Sequence, residues 1–171
     1  MARGHYFART TNRFWPAFSR SRLSVPIRRA LGVDVLVPEH DALLLRFGIG
    51  FTDVVKVPSA NVAALDPAEF ARWAPALLAR LRRHAPGVAC FHGVTAYRGF
   101  VGAAFGAGAP AEMRPPPGLG AQREQVGTTR LYVVPNPSPA NAHFTVDDQR
   151  RWYDRLAAYL RISRVGIRVR Q

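Results

Sequence analysis

Apolar and polar residues follow two different periods along the chain, and these predict helices and strands in turn. Between Asp66 and Pro86 apolar side chains recur every three or four residues, which predicts an amphipathic helix. Asp66 can cap this helix and Pro67 suits its first position. A final helix is predicted after Thr145, which forms a capping pattern with Asp148. Shorter helical patterns occupy residues 14–20, 42–47 and 95–106.

Short apolar runs between these helices predict strands. They are FTDVV at residues 51–55, GVACFHG at 87–93 and LYVVP at 131–135, whereas residues 106–120 are rich in Gly, Ala and Pro and predict a loop. Strands that alternate with helices favour a three-layer α/β fold with a mainly parallel sheet. One domain spanning residues 1–171 is expected from the length.

Polar segments follow each of the predicted strands. They are residues 53–58, His92–Gly93, and the sequence PNPSPANA at 135–142. Ligands bind at the carboxyl ends of strands in open α/β sheets, so we expect these segments to converge on a site.

The charge indicates the kind of partner. The formal net charge is +13, and Lys56 is the only lysine, so arginine supplies nearly all of the cations. A polyanion suits such a surface, with nucleic acid first and an anionic membrane second. The alternative is codon bias, which can enrich arginine in any protein. No apolar run approaches the roughly 18 residues of a membrane span, and no signal peptide is evident, so a cytoplasmic protein without membrane contact is expected.

Several common catalytic motifs are absent from the sequence. It contains no GxxxxGK[ST] phosphate loop, no GxGxxG after a strand and no GxSxG nucleophile motif, which disfavours a nucleotide-binding enzyme and an α/β hydrolase. The histidines and Cys90 lack zinc-ligand spacing, so neither a metal nor a cofactor is expected. Cys90 lies in an apolar run and fits a small buried residue.

The loop after LYVV combines stiffness with short polar side chains. Its prolines fix φ, while Asn136 and Ser138 offer hydrogen bonds at low entropic cost. It could be a plain turn between strand and helix. A rigid loop beside a basic surface could also press into a DNA groove.

The first residues, GHYFARTTNRFWPAF, interleave aromatic residues with arginines. Aromatic rings beside cations suit base stacking and phosphate contact. Phe14, Trp15 and Phe18 fit core positions of a helix better than a binding role. Phe7, in a stretch without periodicity, is the better stacking candidate.

Three segments together carry a resemblance to a known family. GHYFARTTNRFW, GFTDVVKVPS and VVPNPSPANAHF, in this order and spacing, resemble the mismatch-specific uracil/thymine DNA glycosylases of the uracil-DNA glycosylase superfamily. The resemblance implies a three-layer α/β/α sandwich around a short parallel sheet. It also implies an enzyme that flips uracil, or thymine mispaired with guanine, out of the duplex and hydrolyses its N-glycosidic bond without metal or cofactor.

The resemblance assigns roles to individual residues. Phe7 matches the aromatic residue that stacks on the flipped base, and Asn12 lies in the N-R-F-W segment that supports the base pocket. Asn136 would contact the base. The expected DNA contacts are Arg9, Ser138, Pro139, Ala140, Asn141 and Ala142. The small residues at this loop tip replace the Arg or Leu wedge of some relatives.

The resemblance also implies a strand and a G-x-N-P-G motif, which positions the attacking water, just before GHYF. Because the sequence starts at Met1, we expect an N-terminally truncated domain without that strand. Alternatively, Asp53 supplies the water chemistry as a carboxylate base, or it merely caps a loop. A non-catalytic relative that binds mismatches is the alternative function. In either case a monomer associated with the nucleoid and bound to double-stranded DNA is expected.

Overall fold

The computed structural model describes residues 4–56, 66–106 and 118–162. In chain order the elements are α1 (Phe14–Ser19), α2 (Val25–Leu31), a 3-10 helix (Pro38–Phe47), α3 (Pro67–His84), β1 (Val88–His92), α4 (Val94–Phe105), β2 (Gly120–Val126), β3 (Thr129–Val134) and α5 (Val146–Ile162). The predicted α/β class is confirmed. The chain divides into two compact units, described separately below: Met1–Thr52 with Pro137–Gln171, and Asp53–Asn136. The single domain expected from the sequence stays a prediction.

The first unit is helical and is built around aromatic side chains. Helix α1 packs against α5, although the two lie far apart in sequence. Seven rings contact one another here and form what we call the aromatic cluster: Tyr6, Phe7, Phe14, Trp15, Phe18, Phe51 and Tyr153. Aromatic pairs at such distances add to the free energy of burying the rings.

The predicted cap of the last helix is confirmed. The Asp148 amide donates to Thr145 Oγ1 at 3.1 Å, and the Thr145 amide donates to Asp148 Oδ2 at 3.0 Å. Each side chain thus satisfies a backbone N–H that the helix start would otherwise leave without an acceptor. This reciprocal pair fixes where the chain turns from the preceding loop into α5.

The second unit contains the sheet, whose strand order is β1-β3-β2. Strand β3 pairs with β1 in parallel and with β2 in the antiparallel sense. Central strand β3 is buried at nearly every position, as expected for a strand with neighbours on both sides. Helices α3 and α4 pack on each other beside the sheet, where Gly99 leaves room for the Phe70 ring.

Two expectations for individual segments need correction. Residues 51–55 form no strand and pair with no other segment in the part of the chain described, although their apolar residues predicted one. Residues 107–117 of the predicted loop lie outside the described residues, and its end belongs to β2. Strand β2 was not predicted because GAQREQV carries few apolar residues. Its half-buried positions, which alternate with exposed ones, hold Gly120, Gln122 and Glu124.

No helix in the described ranges is long and apolar enough to span a membrane.

Candidate functional site

The candidate stacking residue, Phe7, lies in a short turn segment before α1. It is half-buried, and its φ is +56°, which residues other than glycine rarely adopt. Its ring stacks on Phe14, with 4.3 Å between centroids and 17° between planes, and meets Phe51 edge-on. Phe14 is only 3% exposed, so the Phe7 ring rests on a buried core residue. An aromatic ring supported in this way suits stacking on a base.

Asn12 lies just before α1 and binds its first turn. Its Oδ1 accepts a hydrogen bond from the Phe14 amide at 2.9 Å. This bond satisfies an N–H at the helix start and fixes the direction in which Phe14 leaves the turn. The expected role of Asn12 in supporting the base pocket stays a prediction, and its observed contact acts through the Phe14 backbone.

Arg13 orders the loop that follows β3, a function that sequence analysis did not assign to it. Its amide donates to Pro137 O at 2.9 Å. Its guanidinium Nη1 donates to Ser138 O at 3.1 Å and to Asn141 O at 2.9 Å. The guanidinium is a planar multiple donor that can hold several carbonyl groups in place. The only signal in the sequence was the interleaving of arginines with aromatic residues.

The loop tip is exposed, as a DNA-contacting segment requires. Pro139, Ala140 and Ala142 are exposed, whereas Ser138 and Asn141 are half-buried. The Asn141 amide donates to Ser138 O at 3.0 Å, which closes the turn. Arg9 is also exposed. All the residues expected to contact DNA, together with Phe7 and Asn12, therefore belong to the first unit.

Asn136 belongs to the second unit and lies at the carboxyl end of the parallel strand pair. In this pair His92 is the register partner of Val134, and the Gly93 amide donates to Val134 O at 2.8 Å. Gly93 has φ +106°, and a Cβ at this position would lie 3.1 Å from Asn136 Cβ. Two of the segments expected to converge, His92–Gly93 and the start of PNPSPANA, therefore do so.

His92 ends β1 beside this contact. Burial lowers the pKa of its imidazole to about 4, although part of the side chain stays open to solvent. The ring is therefore neutral near pH 7 and adds no positive charge to this end of the sheet. Burial likewise raises the pKa of the Cys90 thiol to about 12, so the thiol is neutral near pH 7, although Cys90 is half-buried and not the fully buried residue that the sequence predicted.

Asp53, the candidate base, lies in an irregular segment. The sequence placed it near the end of a strand, but no strand forms there. Its side chain is 41% exposed, and Oδ2 lies 3.3 Å from Lys56 Nζ. The carboxylate is thus open to water, and its catalytic role stays a prediction. No group of three or more His, Cys, Asp or Glu that could hold a metal occurs among residues 4–56, 66–106 and 118–162.

The fold and these positions define an α/β protein with candidate polar groups after its parallel strands. The family model of the uracil DNA glycosylase superfamily matches residues 1–161. Since this match covers most of the chain, the protein belongs to that superfamily. Its members are typically hydrolytic N-glycosylases that act on DNA in repair.

Proposed function

We propose that this protein is a monofunctional DNA glycosylase that removes uracil, or thymine mispaired with guanine, from duplex DNA. The observation that carries the proposal is Phe7, a half-buried ring in a strained conformation, stacked on a buried ring. Strained backbone persists where surrounding contacts hold it, and it is often found at functional sites. A flipped pyrimidine stacked on Phe7 would gain about 1–3 kcal/mol.

The reaction needs a group that recognises the flipped base. We assign this role to Asn136, whose amide can both donate to and accept from the edge of a pyrimidine. Asn136 approaches Gly93 so closely that a Cβ at Gly93 would lie 3.1 Å from the Asn136 Cβ, and this close approach limits where Asn136 can lie. Hydrogen bonds from a fixed amide would also stabilise the negative charge that the leaving base acquires.

The DNA duplex would be bound by the loop tip and by arginines. Pro139, Ala140 and Ala142 are exposed at the tip, and small side chains of this kind can enter the minor groove. The net charge of +13 favours phosphate contacts. These contacts release counterions from the DNA, and the free energy gained from that release falls as the salt concentration rises. Flipping is least costly at mismatches, which favours G:U and G:T pairs as substrates.

The hydrolytic step balances with water alone. The bond between C1′ and the base nitrogen breaks, and the water oxygen bonds to C1′. The proton of this water passes to a proton-accepting side chain and from there to the departing pyrimidine anion. We assign the proton-accepting role to Asp53, whose carboxylate is open to water, and Asp53→Asn tests that assignment.

A duplex with one G:U pair tests the proposed function. The protein is incubated with end-labelled duplex, and alkali then cleaves the strand at any abasic site. We expect cleavage at uracil for G:U, weaker cleavage for A:U and none for the undamaged duplex. Salt-sensitive binding to the mismatch without cleavage would favour the non-catalytic mismatch-binding alternative instead.

A variant pair tests the stacking role. Phe7→Ala should weaken binding to G:U duplex more than binding to undamaged duplex, because stacking needs a flipped base. Phe105→Ala, which removes a partly exposed ring from α4, is the matched control. It should leave the difference in affinity between G:U duplex and undamaged duplex unchanged. Equal loss on both duplexes for Phe7→Ala would show that Phe7 is structural.

A further inference from the structure

The carboxylate of Asp41 reaches across the first unit to the segment that leads into Phe7. Asp41 lies in the 3-10 helix, and its side chain is only 11% exposed. Oδ2 accepts from the Tyr6 amide at 3.0 Å, and Oδ1 lies 3.2 Å from His5 Nδ1. The motifs that carry the family resemblance give no reason for a carboxylate at this position.

Tyr6 is held by other contacts as well. Its carbonyl accepts from Trp15 Nε1 at 2.9 Å, and its ring stacks on Phe51 with centroids 5.1 Å apart. The amide, the carbonyl and the ring of the residue before Phe7 are therefore all fixed. Such over-determined surroundings are what a non-glycine residue at φ +56° needs in order to persist.

The charge of Asp41 strengthens this arrangement. Burial raises the pKa of the Asp41 carboxyl, but the hydrogen bonds from the Tyr6 amide, His5 and the Ala42 amide, together with the charge interaction with His5, outweigh it and hold the pKa below its ordinary value. The group is therefore a carboxylate at neutral pH, and a charged acceptor binds an amide more strongly than a neutral one.

We propose that Asp41 is a positioning residue for base excision: it holds the Tyr6 amide so that Phe7 keeps the conformation in which its ring meets the flipped base. The proposal rests on the proposed function. Asp41 would act without touching DNA, through the backbone between Tyr6 and Phe7. Its loss should therefore slow the step that needs the flipped base and leave ordinary duplex binding unchanged.

The chain offers a matched control in Asp154. This carboxylate also accepts from a distant amide, Arg22 N at 2.7 Å, and from a cation, Arg150 Nη1 at 2.7 Å. Its side chain is similarly shielded from solvent, at 19% exposure, but neither of these hydrogen bonds involves the residues next to Phe7. Asp41→Ala and Asp154→Ala therefore remove similar stabilisation from different places.

The experiment compares Asp41→Ala, Asp41→Asn and Asp154→Ala as full-length proteins. For each variant, urea denaturation gives the stability, single-turnover kinetics on a G:U duplex give the excision rate, and undamaged duplex gives the affinity. Hydrogen exchange followed by NMR reports on the Tyr6 amide. All rates are measured at a temperature where every variant is folded.

We expect Asp41→Ala to lower the single-turnover rate about 10- to 100-fold, the range of a misplaced contact group. Its affinity for undamaged duplex should be unchanged and its Tyr6 amide should exchange faster. Asp41→Asn, which keeps an acceptor oxygen, should recover most of the rate. Asp154→Ala should lose stability but keep both the rate and the slow Tyr6 exchange.

Three results would overturn the proposal. They are an unchanged rate in Asp41→Ala, an unchanged Tyr6 exchange in that variant, or an equal loss of rate in Asp154→Ala. If the unsubstituted protein excises no uracil, the proposed function itself fails and the positioning role fails with it. The activity of the unsubstituted protein thus separates the two failures.

Discussion

The two units hold their candidate side chains by different means. In the first unit, Phe7 is kept in place by ring stacking on Phe14 and by hydrogen bonds to the neighbouring Tyr6. In the second unit, Asn136 follows a strand whose register is set by the sheet, and it packs on Gly93. The position of Phe7 should therefore be sensitive to substitutions of core side chains. The position of Asn136 should be sensitive to substitutions that change the backbone conformation.

The largest effect is expected from Phe14→Ala. Removing a buried aromatic ring typically costs about 3–5 kcal/mol of unfolding free energy. Phe14 contacts five other rings of the aromatic cluster, including Phe7, so the loss should also release the stacking residue. We expect an unstable protein with little preference for G:U over undamaged duplex. Urea denaturation and competition binding measure the two effects.

The milder variants Phe14→Leu and Phe91→Leu sharpen this comparison. Phe91 is 6% exposed and packs against Tyr97 and Phe100 in the second unit. Both variants should lose similar stability, but only Phe14→Leu should reduce the preference for G:U duplex. An equal reduction in Phe91→Leu would contradict the distinction between the two units.

The difference between local pattern and long-range pairing explains which elements could be predicted from the sequence. Helices α3 and α5 carry both a periodic apolar face and caps, and β1 and β3 are apolar runs, so local pattern suffices for all of them. FTDVV has a strand pattern as well. A strand also needs a partner, however, and no local sequence shows whether one is present.

The candidate site was only partly predictable for a related reason. Phe7 and Asn136 come from contiguous motifs that the sequence displays directly. Arg13 and Asp41 act through bonds to residues 125 and 35 positions away, and such pairings are fixed by tertiary packing. The burial that makes His92 neutral also depends on the folded surroundings. The sequence therefore indicated the residues proposed to contact the flipped base better than the residues that hold the surrounding segments in place.

The second prediction changes backbone conformation in the second unit. Gly93→Ala places a Cβ 3.1 Å from Asn136 Cβ at a φ of +106°. Strain of this kind costs about 1–3 kcal/mol, and relief requires Asn136 or the strand end to move. We expect reduced stability in urea denaturation and, because Asn136 is displaced, a slower single-turnover excision of uracil.

Gly127→Ala is the matched control for this change. Gly127 also has positive φ, at +58°, but a Cβ there meets no atom within 4 Å. It lies in the turn between β2 and β3 of the same sheet. Its substitution should therefore lower stability without slowing excision. If both variants slow excision in proportion to their instability, Gly93 does not position Asn136.

The smallest effect on stability is expected at the two non-glycine residues that have positive φ among the described residues, one in each unit. Ala85 is the C-cap that follows α3 and has φ +40°, a conformation in which glycine is common at helix ends, so Ala85→Gly should raise the unfolding free energy by about 0.5–1 kcal/mol. Phe7→Gly relieves comparable strain at φ +56° but removes a stacked ring. It should gain no stability and lose most uracil excision, whereas Ala85→Gly keeps full activity. A fully active Phe7→Gly protein, as stabilised as Ala85→Gly, would show that the strain at Phe7 has no functional role.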